Sequence, residues 1–300
     1  MKRFATLAVA VMFVLGSVAQ AGVMFYEPFN YTGGTNVEGN GTPLGGVGTW
    51  VQSSGTKMII APPHDPHAQG DDFTGLPAGV PGAGGSYAAG SDVNENRLKI
   101  GLAQSVTDSF VDDTTTWMSF VAINTQNHNH HKPNMAIGDG ELLNDRAMFH
   151  EGQAIGGGAH STDGNRQERA SYWHDADSSG TAERYSSGQV PADYQVQELI
   201  VMKIEWGDAN DTVSVLNFDM KDAADWALIT EAAFNAAAVS ITSANNLVQS
   251  DFDTLSLHSS RSSYDEIRIG TTFADVVVPE PATLALLGLG LGGLLFRRRR

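Results

Sequence analysis

The stretch Leu199-Ile200-Val201-Met202-Lys203-Ile204-Glu205-Trp206, then Gly207-Asp208-Ala209-Asn210-Asp211, then Thr212-Val213-Ser214-Val215-Leu216-Asn217-Phe218 decides the fold class. Two arms rich in β-branched and aliphatic residues flank a turn of Gly, Asp and Asn, which is the pattern of an antiparallel hairpin. In the second arm Val213, Val215 and Asn217 project to one side and Ser214, Leu216 and Phe218 to the other. Both sides carry apolar groups. The hairpin therefore belongs inside a layered β structure and not at a wet edge.

The same texture extends outward in both directions. Val23 to Tyr26, Thr49 to Val51, Lys57 to Ile60, Arg97 to Leu102 and Thr116 to Thr125 read as strands, with Ala147–His150 and Ala170–Trp173 as shorter candidates. Phe252 to Leu257 and Asp265 to Gly270 close the series. Gly70 to Ser91 is rich in Gly and Pro and reads as a long surface loop. Asp222 to Ala238 is alanine-rich, with Trp226, Leu228, Ile229 and Phe234 spaced as on one surface helix. No fixed-period repeat is present.

Charge is segregated along the 300 residues. Lys2, Arg3 and Arg297–Arg300 take six of the 18 basic residues, and Glu280 takes one of the 34 acids. That leaves 12 bases and 33 acids in residues 22–278, a net of −21. Such a surface repels phosphate backbones, so nucleic acid is not an expected partner. It would attract cations such as calcium. The absence of cysteine removes disulfides, thiolate metal sites and thiol nucleophiles. Stability must then come from packing. The 33 glycines and the 8% aromatic content favour a turn-rich β protein.

Both ends differ from the middle. Lys2 and Arg3 precede an apolar run from Phe4 to Val18, and Ala19-Gln20-Ala21 offers small residues at the exit. Residues 1–21 thus read as a signal peptide cleaved between Ala21 and Gly22. At the other end Pro279-Glu280-Pro281 leads into Ala282–Phe296, which is apolar or Gly apart from Thr283, and Arg297, Arg298, Arg299 and Arg300 follow. As a helix those apolar residues rise about 22 Å, short of a roughly 30 Å hydrocarbon core. Starting the helix at Pro281 and letting the arginines snorkel narrows the gap. The arginines would stay on the cytoplasmic side and leave the domain outside.

This order of Pro-Glu-Pro, short apolar segment and arginine cluster resembles the PEP-CTERM sorting signal of exopolysaccharide-producing bacteria. The resemblance implies an exosortase as partner, together with the secretion machinery, and recognition at Pro279, Glu280 and Pro281. These are substrate features and not catalytic ones. The implied route is export, residence in the cell membrane through the C-terminal helix, then the cell surface or extracellular matrix.

A second resemblance spans residues 22–278. Tyr26-Glu27-Pro28-Phe29-Asn30-Tyr31, the Gly207–Val213 turn and Asp265-Glu266-Ile267-Arg268-Ile269-Gly270-Thr271-Thr272 look like the concanavalin/laminin-G-like jelly-roll domains common in PEP-CTERM proteins. The implied fold is all-β, a sandwich of two antiparallel sheets of about six strands each. The expected organisation is a signal peptide at 1–21, one jelly-roll domain at 22–278 and a sorting tail at 279–300 with a short transmembrane helix.

Candidate sites are few. Asp175, Asp177, Ser179 and Gly180 match the first half of a calcium loop, and Glu183 could add an oxygen, but Ser186 stands where a bidentate glutamate is required. An ordinary polar turn accounts for the same residues. His128, His130 and His131 could grip a transition metal, although Asn129 and Pro133 suit an exposed loop. His150-Glu151 lacks the second histidine of a zinc protease, and Gly84-Gly85-Ser86-Tyr87-Ala88 lacks the last glycine of a nucleophile elbow. No Glu-x-Asp-x-x-Glu strand of a jelly-roll glycosidase is found, and Asp265-Glu266, being adjacent, should point to opposite faces and be solvated at a strand end. Trp50, Tyr172 and Trp173 sit near turns and are the candidate sugar-stacking platforms, with core packing as the competing fate. The expected function is a non-enzymatic envelope or matrix protein without a cofactor. The alternative is a carbohydrate-binding module for exopolysaccharide, and a hydrolase is the third class weighed.

Overall fold

The computed structural model describes residues 22–54, 58–61, 87–89, 95–124, 133–139, 153–162, 165–174, 182–185, 190–191, 197–220, 225, 228–260 and 262–277. Strands β1 (Val23–Glu27), β2 (Gly46–Ser54), β3 (Ile59–Ala61), β4 (Tyr87–Ala89) and β5 (Glu95–Leu102) open the chain. They are followed by β6 (Thr115–Asn124), β7 (Asn134–Gly138), β8 (Ala154–Thr162), β9 (Asn165–Trp173), β10 (Ala182–Tyr185) and β11 (Val190–Pro191). The last are β12 (Gln197–Glu205), β13 (Thr212–Asp219), β14 (Val239–Thr242), β15 (Thr254–Ser260) and β16 (Ser262–Gly270). Short helices α1 (Gln104–Thr107), α2 (Glu231–Ala237) and α3 (Phe273–Val277) complete the described elements.

The strands form two antiparallel sheets of eight, larger than the six or so expected. One runs β14-β13-β12-β6-β16-β4-β3, with β1 beside β4 on the same edge of β16. The other runs β10-β9-β8-β7-β15-β5-β2, with β11 beside β10 along β9. Consecutive strands β5, β6 and β7 alternate between sheets, and so do β15 and β16. Each of the late strands inserts among the early ones: β15 lies between β5 and β7, and β16 lies against β6. This alternation wraps the chain as a jelly roll.

The deciding hairpin is present as β12 and β13, paired from Glu198–Asp219 to Glu205–Thr212. Its two apolar faces serve two different cores. Ile200, Met202, Ile204, Val213 and Val215 face the opposite sheet, with Met118 and Phe120 of β6, and belong to the main core. Leu199, Val201 and Leu216 face away, with Trp117 and Val121, and form a second core with Ile229, Phe234 of α2 and Phe273, Val276 and Val277 of α3. A sheet clad in helices on its outer face cannot show the apolar/polar alternation of a wet surface. The expected helix over Asp222–Ala238 is shorter among the described residues: α2 starts at Glu231, where the Thr230 hydroxyl accepts from Ala233 N at 3.1 Å and caps it.

The turn Gly207–Asp211 is fixed by a buried acid. The Asp211 carboxylate accepts from Gly207 N at 3.3 Å, Leu247 N at 2.8 Å and Gln249 Nε2 at 3.3 Å, and its own N–H donates to Ser243 Oγ at 2.8 Å. Burial raises its pKa against those bonds. The acid therefore staples the 243–249 segment to the hairpin end. The sheets meet closely where Gly157 of β8 faces β13: a Cβ there would enter the Arg169 carbonyl and lie 2.5 Å from Val215 Cγ2.

Candidate functional site

The outer face of the second sheet differs in kind from that of the first. β5, β15, β7, β8 and β9 lie side by side, and their registers align the outward residues in three rows. One row is Gly101, Thr254, Gly138, Ala154 and Trp173. The next is Lys99, Ser256, Ala136, Gly156 and Ser171. The third is Arg97, His258, Asn134, Gly158 and Arg169. The alternate residues Leu98, Ile100, Leu255, Leu257, Met135, Ile137, Ile155, Ala170 and Tyr172 point into the main core.

The grid is a trough. Along β7 and β8 its floor carries only Gly and Ala apart from Asn134. Gly156 and Gly158 are obligatory, since a Cβ on either would strike the carbonyl of Met135 or Pro133. One wall is Lys99, Arg97, Ser256 and His258, and the other is Trp173, Ser171 and Arg169. At about 4.8 Å per strand, Ser256 and Ser171 stand about 14 Å apart. The floor residues Asn134, Ala136, Gly138, Ala154, Gly156 and Gly158 and the inner wall residues His258, Arg169, Ser171 and Ser256 are all buried, so this part of the face is covered, while Arg97, Lys99 and Trp173 on the rim are half-exposed. Burying polar groups is costly unless something satisfies them. Ser171 Oγ and Ser256 Oγ have no hydrogen-bond partner among the described residues. Only the rim is open to a ligand, and there the Trp173 ring is available for stacking.

The three aromatic candidates separate. Tyr172 and Trp173 are neighbours on β9 and take opposite faces. Tyr172 is in the main core, where its Oη accepts from Ala244 N at 2.9 Å, and only Trp173 reaches the trough. Trp50, expected near a loop, is instead a core residue at 0% exposure. It stacks on Phe29 with centroids 5.7 Å apart, and its Nε1–H donates to Glu27 at 2.8 Å. A buried ring offers no face to a sugar. Asp175, Asp177 and Ser179 of the calcium-like loop, the histidines 128–131, and the tail residues Pro279–Pro281 and Arg297–Arg300 lie outside the described residues, as do Ala19 and Ala21. The backbone of Glu183 lies in β10 opposite Ser171. Among the described residues no group of three His, Asp or Glu side chains could hold a metal, and no helix is long and apolar enough to cross a membrane.

A second polar cluster escaped the sequence reading. Asp265 and Glu266 are not solvated at a strand end: both are buried in β16. A bulge there sets two residues against one on β6 between the pairs Asp265–Val121 and Arg268–Ser119, with Glu266 at φ 51°. Glu266 accepts from Tyr26 Oη at 3.0 Å and pairs with Arg268 at 3.1 Å, and the Arg268 guanidinium lies 4.9 Å from the centroid of the Tyr26 ring. Nearby, Glu27 accepts from Phe29 N at 2.6 Å, Tyr31 Oη at 2.6 Å and Trp50 Nε1 at 2.8 Å. Glu266 thus ties the first strand to the last, and Glu27 ties the first strand to the segment after it and to β2. Asp265 accepts from Glu266 N through Oδ1, while Oδ2 has no hydrogen-bond partner among the described residues. Burial first, and the Glu266 charge second, push its pKa well up.

A carboxyl whose folded pKa is raised holds its proton more tightly in the fold. Its contribution is intact below the ordinary carboxylate range and is lost as pH rises through the raised value. Asp265→Asn keeps the bond to Glu266 N and cannot ionise. Melting curves should show the variant matching the parent near pH 3.5 and exceeding it at pH 7 by about 1–3 kcal/mol. A variant less stable at both pH values would contradict this account.

Among solved structures, the chain is similar to the CBM2 module of the Lactobacillus casei BL23 phage J-1 evolved Dit, at a TM-score of 0.41 and 10% identity over 83% of this chain and 95% of that one. It is similar to the binding domain of botulinum neurotoxin DC in complex with rat synaptotagmin II, at a TM-score of 0.36 and 8% identity over 87% of this chain and 52% of that one. It is also similar to HCR/D-Sa-GBL1/C, at a TM-score of 0.34 and 8% identity over 64% of this chain, and it spans 41% of that structure's length. None of the curated proteins matches the chain. Residues 277–300 match the PEP-CTERM protein-sorting motif. The chain is therefore an exported protein carrying a PEP-CTERM sorting signal, processed at the membrane by an exosortase and bound for the cell surface or extracellular space.

Proposed function

We propose that this protein is a non-enzymatic binding domain of the extracellular matrix, which holds polysaccharide against the half-exposed Trp173 at the rim of the second sheet's outer face. The signal peptide at 1–21 is removed after Ala21, the domain at 22–278 is delivered outside, and the tail at 279–300 controls its release or retention. The observation that carries the reading is Trp173, the one of the three aromatic candidates that lies half-exposed, on a strand whose next outward residues are Ser171 and Arg169. An accessible indole face stacks on a sugar ring.

The test is a glycan array probed with the full chain in detergent micelles. The expected result is saturable binding to a polysaccharide, weakened about tenfold, or about 1.4 kcal/mol, by Trp173→Ala at unchanged melting temperature. Binding to no glycan, or binding indifferent to Trp173, would overturn the reading.

A further inference from the structure

We infer that removal of the signal peptide completes an ion pair: the α-ammonium left on Gly22 is received by the Asp275 carboxylate and pins α3, the element from which the sorting sequence departs. This rests on the cleavage after Ala21 proposed above and adds what the new terminus does. A close approach carries it. A Cβ built on Gly22 would fall on the carboxylate of Asp275, so that group lies against the Gly22 Cα. The Gly22 nitrogen, about 2.5 Å from such a Cβ, is then within about 5 Å of the carboxylate oxygens. Gly270, paired with Val23, is under the same limit: a Cβ on it would lie 2.5 Å from Asp275 Cβ and 3.1 Å from the Gly22 carbonyl oxygen. Gly270 does not have a positive φ, so what its position requires is room for this side chain.

The bonding of the carboxylate is a second observation. Asp275 and Thr272 form a reciprocal cap on α3: Asp275 Oδ2 accepts from Thr272 N at 2.8 Å, and Asp275 N donates to Thr272 Oγ1 at 3.3 Å. Oδ2 also accepts from Thr271 N at 3.2 Å. Oδ1 accepts from none of the described residues and is left for a donor. In the precursor the Gly22 nitrogen is a backbone amide with one hydrogen. Hydrolysis of the Ala21–Gly22 bond takes up water, leaving a carboxylate on Ala21 and an ammonium with three donors on Gly22. A carboxylate already held by its cap loses little further freedom in meeting that charge. The helix it pins is seated by Phe273, Val276 and Val277 in the second core and by the bond from Ser119 Oγ to the Val276 carbonyl at 2.6 Å. The sorting motif matches from residue 277, so the pair joins the two processed ends of the chain at one place.

The experiment uses the chain purified from exporting cells, tail intact, in detergent micelles. Mass spectrometry identifies its first residue. Acetic anhydride at neutral pH then labels the α-amine, read on the N-terminal peptide. A carboxylate beside an ammonium favours its charged, unreactive form. Labelling should be about threefold slower in the parent than in Asp275→Asn, which keeps the cap without the charge. It should also quicken in the parent as NaCl is raised to about 1 M. Should the variant fail to fold, the salt response of the parent decides alone. Gly22 as first residue, with labelling indifferent to Asp275 and to salt, would overturn the pair and leave the cleavage and the binding role standing. A first residue other than Gly22 would overturn the cleavage after Ala21 and the pair with it.

Discussion

Trp50→Ala lowers the stability of the domain by about 5 kcal/mol: roughly 3–5 for truncating a buried tryptophan and about 1–3 for the acceptor it abandons on Glu27. The ring is wholly buried, stacked on Phe29 and bonded to a carboxylate that is itself buried. The loss therefore has a packing part and a polar part, and the two can be separated. Trp50→Phe fills most of the volume but cannot donate to Glu27, so it should show mainly the second. At about 2–4 °C per kcal/mol for a domain of this size, the alanine variant should melt 10–20 °C below the parent, and the phenylalanine variant should fall between them. Urea titrations should give the same order. Were Trp50 a sugar platform, alanine would remove binding and leave the melt unchanged.

Trp117→Ala should cost about 3–5 kcal/mol, but in a different place. Trp117 lies on the outer face of β6, edge-on to Phe273 of α3 at 5.2 Å and to Phe234 of α2 at 5.0 Å, with Lys203 Nζ 5.8 Å from its ring centroid. It belongs to the second core and not to the one between the sheets. Removing it takes away the common anchor of both helices. Amide exchange at Phe234, Val276 and Val277 should accelerate before exchange at Met118, Phe120 or Ile200, which face the other way. Uniform acceleration through both cores would show that the helical cladding and the sandwich unfold as one unit.

The hairpin was legible because its two arms are long, aliphatic and apolar on both faces, and a period of two needs no tertiary information. What covers each face is not encoded there: that Leu199 meets helices while Ile200 meets a sheet depends on where Phe234 and Phe273 return. Gly156-Gly157-Gly158 was not readable as strand, because glycine is rare in strands and here answers to close backbone approach, which no local pattern reveals. Trp50, near a turn, left sugar stacking and core packing both open, and local sequence could not choose between them. Its fate is set by Glu27, 23 positions earlier. The split between Tyr172 and Trp173 could have been foreseen, since neighbours on a strand cannot share a face. Asp265 and Glu266 defeated the same alternation rule, because a bulge inserts an extra residue there and both side chains are buried.

The pairing of β1 with β16 sets a timetable. Glu27 and Ile267 are partners 240 positions apart, and every other layer is threaded between them. A chain that leaves the cytoplasm N-terminus first keeps its opening strand waiting until nearly the whole protein has crossed. During that interval the exposed edge of β1 is open to misassembly. The strand that ends the wait is followed within a few residues by the sorting motif. Closure of the sandwich and arrival of the sorting sequence at the bilayer thus fall at almost the same moment of translocation, which gives the exosortase a cargo that has only just become whole.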